Sequence, residues 1–286
     1  MQDGRVNADV THPLERLWSL ALSGDDAAAA ALVEPGGTWD DPLFDRATGD
    51  DVQATAIPRL GAWLRARAAP GGATVRHLRT TEDAARVVVE QVLTLADGLV
   101  WNQAAQRSEK AERFELATAI VGDRAGRSDA SCGSIRVYFS TWAAQGGASR
   151  MRVGPICPDE REVTRAAMDA MPTVRRYFDL LARGAPEIID TFEPDGYFRE
   201  PASNFACGRD QLARHFEHIL ELGGVGIEFL TATRQGERIG LELQTIVWGT
   251  KRMERPQAGF AAYELGPHGL LQAGRVYDSV VPPEIG

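Results

Sequence analysis

Little in this 286-residue chain speaks for a membrane, a metal or a nucleic acid. It has three cysteines, Cys132, Cys157 and Cys207, an odd and widely spaced set that offers neither a disulfide framework nor metal-ligand spacing, so reduced thiols are expected. No apolar run approaches the roughly 20 residues of a membrane span, and the mixed-charge start, Met1 to Arg5, leads into no apolar leader core. The expectation is a soluble, cytoplasmic protein. Basic residues are outnumbered, giving a net charge of −9, which removes the electrostatic footprint needed to hold a phosphate backbone. Neither nucleic acid nor membrane is expected as a partner. The remainder is ordinary globular composition, 44% hydrophobic and 25% charged, in a chain long enough for two cores.

The chain resembles itself. Val33 to Pro42 (VEPGGTWDDP) aligns without a gap to Phe192 to Pro201 (FEPDGYFREP), both reading Glu-Pro-x-Gly, aromatic, any residue, acid, Pro. At the same offset Gly49-Asp50-Asp51 falls on Gly208-Arg209-Asp210, a turn entering a helix whose first-turn acid suits the helix dipole. The copies also close alike, Arg136-Val137-Tyr138 matching Arg275-Val276-Tyr277. Three matches in one order point to a tandem duplication.

Each copy has one layout. Helical spacing runs from Leu14 to Leu22 and from Val174 to Leu181, stopping at Gly24 and Gly184. A further helix is expected near 51–65 and 209–222. The period then changes to two, at Val87, Val89, Gln91, Leu93, Leu95 and at Ile239, Leu241, Leu243, Thr245, Val247. Other strands are expected near 73–79, 114–121, 134–142, 226–233, 257–265 and 270–280. Helices before a meander of strands make each copy α+β. Residues 143–161 show no sustained period and read as connection. The domain boundaries expected are 10–145 and 165–283, with 146–164 as linker.

The order of helices, acid-Pro turn and curved antiparallel sheet resembles the NTF2-like superfamily, with its SnoaL-like polyketide cyclases and ketosteroid isomerases. Val174-Arg175-Arg176-Tyr177, Gly184, Phe192, Glu200-Pro201, Gly208 and Arg275 to Asp278 carry the likeness, and the first copy shows it more loosely. It implies two cone-shaped domains, each with three helices on a strongly curved sheet. It also implies dimerisation through the outer sheet face, so one chain would form its own pseudo-dimer; a further homo-oligomer is compatible with this. Fold alone does not choose an activity.

The resemblance implies that Tyr177 and Glu200 face one another across the second cone, a phenol steadying enolate charge and a carboxylate moving a proton. The same residues also read as a core aromatic and a turn acid. The late-strand acid that isomerases add falls on Ala261. Asp278 alternates with Val276 and Val280, so with the valines lining the cavity its carboxylate lies among apolar atoms, suited to proton transfer; pairing with a basic neighbour is the alternative. Tyr177, Glu200 and Asp278 are thus the expected catalytic set. His215 and His218 lie three apart on a helix without further ligands, so no metal and no cofactor are expected. Expected substrate contacts are His215, Phe198, Asp41 and Trp18. In the first copy Trp18 replaces the tyrosine and Phe139 stands at the Asp278 position, which reads as a structural or degenerate pocket. On the outer sheet face Glu242, Gln244, Ile246 and Trp248 alternate opposite the apolar set, a surface suited to sheet contact. The function expected is cofactor-independent acid/base chemistry on a hydrophobic small molecule, as in a cyclase, isomerase or dehydratase. A non-catalytic ligand-binding protein, or a scaffold using the sheet face, is the alternative.

Overall fold

A computed structural model describes residues 12–44, 46–68, 72–102, 107–124, 131–141, 158–200 and 205–277. The first part opens with α1 (Leu17–Ser23), α2 (Asp26–Ala30), strands β1 (Val33–Asp40) and β2 (Ala47–Thr48), and α3 (Ile57–Arg65). The meander β3 (Thr74–Glu82), β4 (Arg86–Asn102), β5 (Arg107–Arg124) and β6 (Cys132–Phe139) follows. The second part has α4 (Pro158–Asp169), α5 (Pro172–Arg183), β7 (Phe192–Arg199), β8 (Phe205–Cys207) and α6 (Arg209–Glu221). It ends in β9 (Val225–Gln235), β10 (Arg238–Trp248), β11 (Lys251–Leu265) and β12 (Leu271–Val276).

The two sheets have six strands each, in the orders β2-β1-β6-β5-β4-β3 and β8-β7-β12-β11-β10-β9. In both, only the pairing of the early strand with the last (β1 with β6, β7 with β12) is parallel. The architecture is α+β and compatible with a two-domain duplication. Gly24 and Gly184 both end their helices at φ 81° and 60°, a left-handed cap that costs glycine nothing.

Each sheet buries one face under its own helices. Val87, Val89, Leu93 and Leu95 of β4 point into the first core with Trp18, Trp39 and Phe139. Leu241, Leu243, Ala261 and Tyr263 point into the second with Tyr177, Phe192 and Phe216. The opposite faces meet each other. A third cluster joins Val88, Ala119, Val121 and Tyr138 to Ala258, Phe260, Ala262 and Tyr277. Gly240 permits this approach, since a Cβ there would lie 2.7 Å from the Phe260 ring and 3.3 Å from Val88 Cγ2.

Within this apolar contact sit two reciprocal polar knots. Glu90 accepts from Arg275 Nε at 2.7 Å, Arg275 Nη2 at 3.0 Å and the Tyr277 hydroxyl at 2.5 Å. Glu242 of the other sheet accepts from Arg136 and from the Tyr138 hydroxyl, the latter at 2.6 Å. Burial would raise the Glu242 carboxyl, but the charge and hydrogen bonds of Arg136 outweigh it and hold the pKa below the ordinary range. This equality of contact, i to j and j to i, is what a two-fold-related interface produces.

Two expectations change. Pro158–Asp169 is helical, although much of it falls in a stretch that reads as aperiodic connection; Met168 enters the second core and Thr164 Oγ1 donates to Leu230 O at 3.3 Å. Its apolar stripe is only a few residues wide and follows glycines and prolines, which hides it. Trp248 does not face the other sheet. The ladder shifts between Thr245 and Val247, reversing the alternation, and Trp248 packs against the second core. No helix among the described residues is long and apolar enough to cross a membrane.

Candidate functional site

Helix α5 places Tyr177 in the second core because Val174, Tyr177, Phe178 and Leu181 recur at helical spacing. Its ring lies 5.1–6.3 Å from those of Phe178, Phe192, Phe198, Phe216 and Tyr263, and the side chain is 1% exposed. The hydroxyl is hydrogen-bonded to Tyr263. Burial pushes the Tyr177 phenol well above its ordinary range, the Tyr263 bond works against that, and the Glu200 charge adds to it. Tyr177 is therefore a neutral hydroxyl at any physiological pH.

Glu200 follows the end of β7, one-third exposed, with Oε1 3.5 Å from His215 Nε2. His215 comes from α6, its side chain 5% exposed, its ring 5.3 Å from Phe198 and 5.2 Å from Phe216. The Nε2 atom is buried and has no hydrogen-bond partner among the described residues. The structure thus brings together Tyr177, Glu200, His215 and Phe198, from one helix, one strand end, a second helix and that same strand. A carboxylate beside an imidazole can pass a proton, and of two hydrogen-bonded phenols one keeps an O–H free to donate to an oxyanion. Asp278 lies outside the described residues, as does the side chain of His218.

Tyr263 lies outside the expected set, though the sequence holds a signal for it: Ala261, Tyr263 and Leu265 share one face of β11, and the late-strand acid of isomerases falls on Ala261. Ala261 is buried in the second core.

The first part is built differently. Trp18 Nε1 donates to Thr118 Oγ1 at 2.9 Å, and that hydroxyl donates to Gln91 O. Phe139 stacks on Trp63 at 5.7 Å and meets Trp18 edge-on. Asp41 is 1% exposed and accepts from Trp39 Nε1 and from the backbone N–H of Leu43 and Phe44, each at 2.8 Å. Desolvation by burial pushes its carboxyl up to about 6 against these hydrogen bonds. The polar atoms of Trp18 and Asp41 are thus engaged within the protein, closing a turn and filling a core.

No cluster of three or more His, Cys, Asp or Glu able to hold a metal occurs among the described residues. Cys132 and Cys207 are free thiols.

No protein-family profile matches the chain, and neither does any curated protein. Solved structures similar to part of it include an NTF2-like protein of unknown function from Cytophaga hutchinsonii, 15% identical, covering 37% of this chain and 85% of that one, with a TM-score of 0.30. A polyketide cyclase so named provisionally, from Sinorhizobium meliloti, is 16% identical over 38% of this chain and 97% of its own, TM-score 0.33. The epoxide hydrolase/cyclase-like enzyme SalBIII of salinomycin pyran ring formation is 17% identical, covering 38% and 90%, TM-score 0.33. Each likeness spans little more than a third of this chain.

Proposed function

We propose that the second part is a cofactor-independent acid/base site for a hydrophobic, carbonyl-bearing small molecule, of the cyclase, isomerase or dehydratase kind. The observation that carries this reading is the buried His215 Nε2, without a hydrogen-bond partner among the described residues and 3.5 Å from Glu200 Oε1, beside the Tyr177–Tyr263 hydroxyl pair. Glu200 with His215 moves the proton, and the neutral Tyr177 phenol, hydrogen-bonded to Tyr263, steadies the oxygen on which negative charge develops. Asp278 remains a second candidate for proton transfer. The two parts are related by duplication and docked as a pseudo-dimer, with the helix Pro158–Asp169 belonging to the second; the first serves as the structural partner. Cyclase-type neighbours in the solved structures agree with this class without selecting a member of it.

The test is deuterium uptake alpha to the carbonyl of 2-tetralone in D2O, followed by NMR. The wild-type protein should exceed the buffer rate, with Glu200→Gln and His215→Asn each losing about 100-fold, the usual weight of one positioned acid or base. Equal rates in wild type and variants would sink the proposal. The close packing of rings around Tyr177 favours one rival, a binding protein without catalysis. For that rival, 2-tetralone binds and is recovered without exchange.

A further inference from the structure

Where β3 and β5 approach β7, β8 and β12, a cleft of about 440 Å³ lies between the two sheets. Four guanidinium groups line it, from Arg76, Arg79, Arg199 and Arg275, together with the rings of Tyr197 and Phe205. Two of the four are well compensated: Arg275 by Glu90 and Glu264, and Arg79 by Glu264 at 3.1 Å. The other two are not. Among the described residues, Arg76 and Arg199 share a single carboxylate, Glu115, each at 3.4 Å, near the limit of a hydrogen bond. Arg199 is only 13% exposed, so most of its hydration has been removed with no counter-ion closer than 3.4 Å in return among the described residues, whereas Glu115 is 47% exposed.

The equivalent row of the other sheet shows what a sealed version looks like. Arg199 pairs with Phe205 on one side and Arg275 on the other; Asp40 pairs with Arg136, and the repeat alignment puts Arg46 opposite Phe205. There the acid and the base neutralise each other, Arg46 Nε and Nη2 donating to Asp40 at 2.9 and 2.8 Å. In the second sheet the acid has become Arg199 and its partner Phe205, which is 54% exposed, one of two large hydrophobic residues so exposed among the described residues. The Phe205 ring lies 5.3 Å from Tyr197 at 31°, a nearly flat apolar wall beside a positive floor.

We propose that this cleft binds a planar aromatic carboxylate, its ring against Phe205 and Tyr197 and its carboxylate on Arg199 and Arg76. The ligand oxygens displace Glu115 and form the short bidentate pairs that Glu115 does not reach. The site is separate from Glu200 and His215 and does not rest on the acid/base reading.

Titration of the full chain with 2-naphthoate at low salt, by calorimetry, tests it. Saturable binding is expected, weakened about tenfold or more in Arg199→Ala and in Phe205→Ala, as loss of a charged pair or a stacking ring requires. Because Arg76 is 56% exposed, Arg76→Gln keeps the fold and should weaken binding severalfold. Glu115→Gln should tighten it, since it removes the competing carboxylate; neutral 2-naphthamide should bind about tenfold worse. No binding by the wild type, unchanged affinity in Arg199→Ala or Arg76→Gln, weaker binding in Glu115→Gln, or loss of binding in Glu200→Gln would each overturn the proposal.

Discussion

The two parts use the same frame and fill it differently. In the first, Trp18, Trp39, Trp63 and Phe139 occupy the space between helices and sheet, and the acid before proline, Asp41, is bound on both oxygens by its own turn. In the second, smaller rings surround Tyr177, and the matching acid, Glu200, turns to a histidine. An indole at the tyrosine position removes the hydroxyl. The difference teaches that one topology can hold either a packed core or a polar constellation, depending on a handful of side chains.

The largest test of this comparison breaks what the parts share. Arg275→Met leaves Glu90 buried with its guanidinium gone and should cost about 3–5 kcal/mol in urea unfolding, while Arg275→Met with Glu90→Leu should recover most of it. Arg136→Met should behave alike through Glu242. If only one knot matters, the two parts are not mechanically equivalent.

Next comes a pH effect confined to the first part. The Asp41 carboxyl is raised from 3.8 to about 6, so the unfolded chain releases this proton first. Stability contributed here is full below about pH 4 and is lost as pH rises to about 6, a change of about 3 kcal/mol. Asp41→Asn should flatten that slope in urea titrations, and Glu200→Gln should leave it in place.

Gly240→Ala places a Cβ against Phe260 and Val88 and should cost about 1–3 kcal/mol by overpacking the sheet contact. The smallest effect on stability is Tyr177→Phe, about 1 kcal/mol for the lost bond to Tyr263, against a much larger loss of any exchange activity. A variant that loses stability and no activity would make Tyr177 a core residue like Trp18.

Much of the frame is legible in residue order, because period and punctuation are local. Gly24 and Gly184 mark helix ends, and the switch to period two marks the meander. The repeated Arg-x-Tyr is also visible, yet its partners are not: Glu90 and Glu242 lie on other strands of the opposite sheet, and only docking brings them within reach. Trp248 is misplaced by alternation because one bulge reverses it. The Glu200–His215 contact needs the strand end and α6 to converge, which no spacing in the chain encodes, and Asp278 lies outside the described residues.

The reciprocal knots carry one more consequence. Two identical chains docked by such contacts would present every wall twice, and any change to one cleft would be copied into the other. Here positions 40 and 199 are separate letters of one chain. One flank can stay closed by Asp40 and Arg46 while the other keeps Arg199 facing a cleft, so the stoichiometry of a ligand there is one per chain.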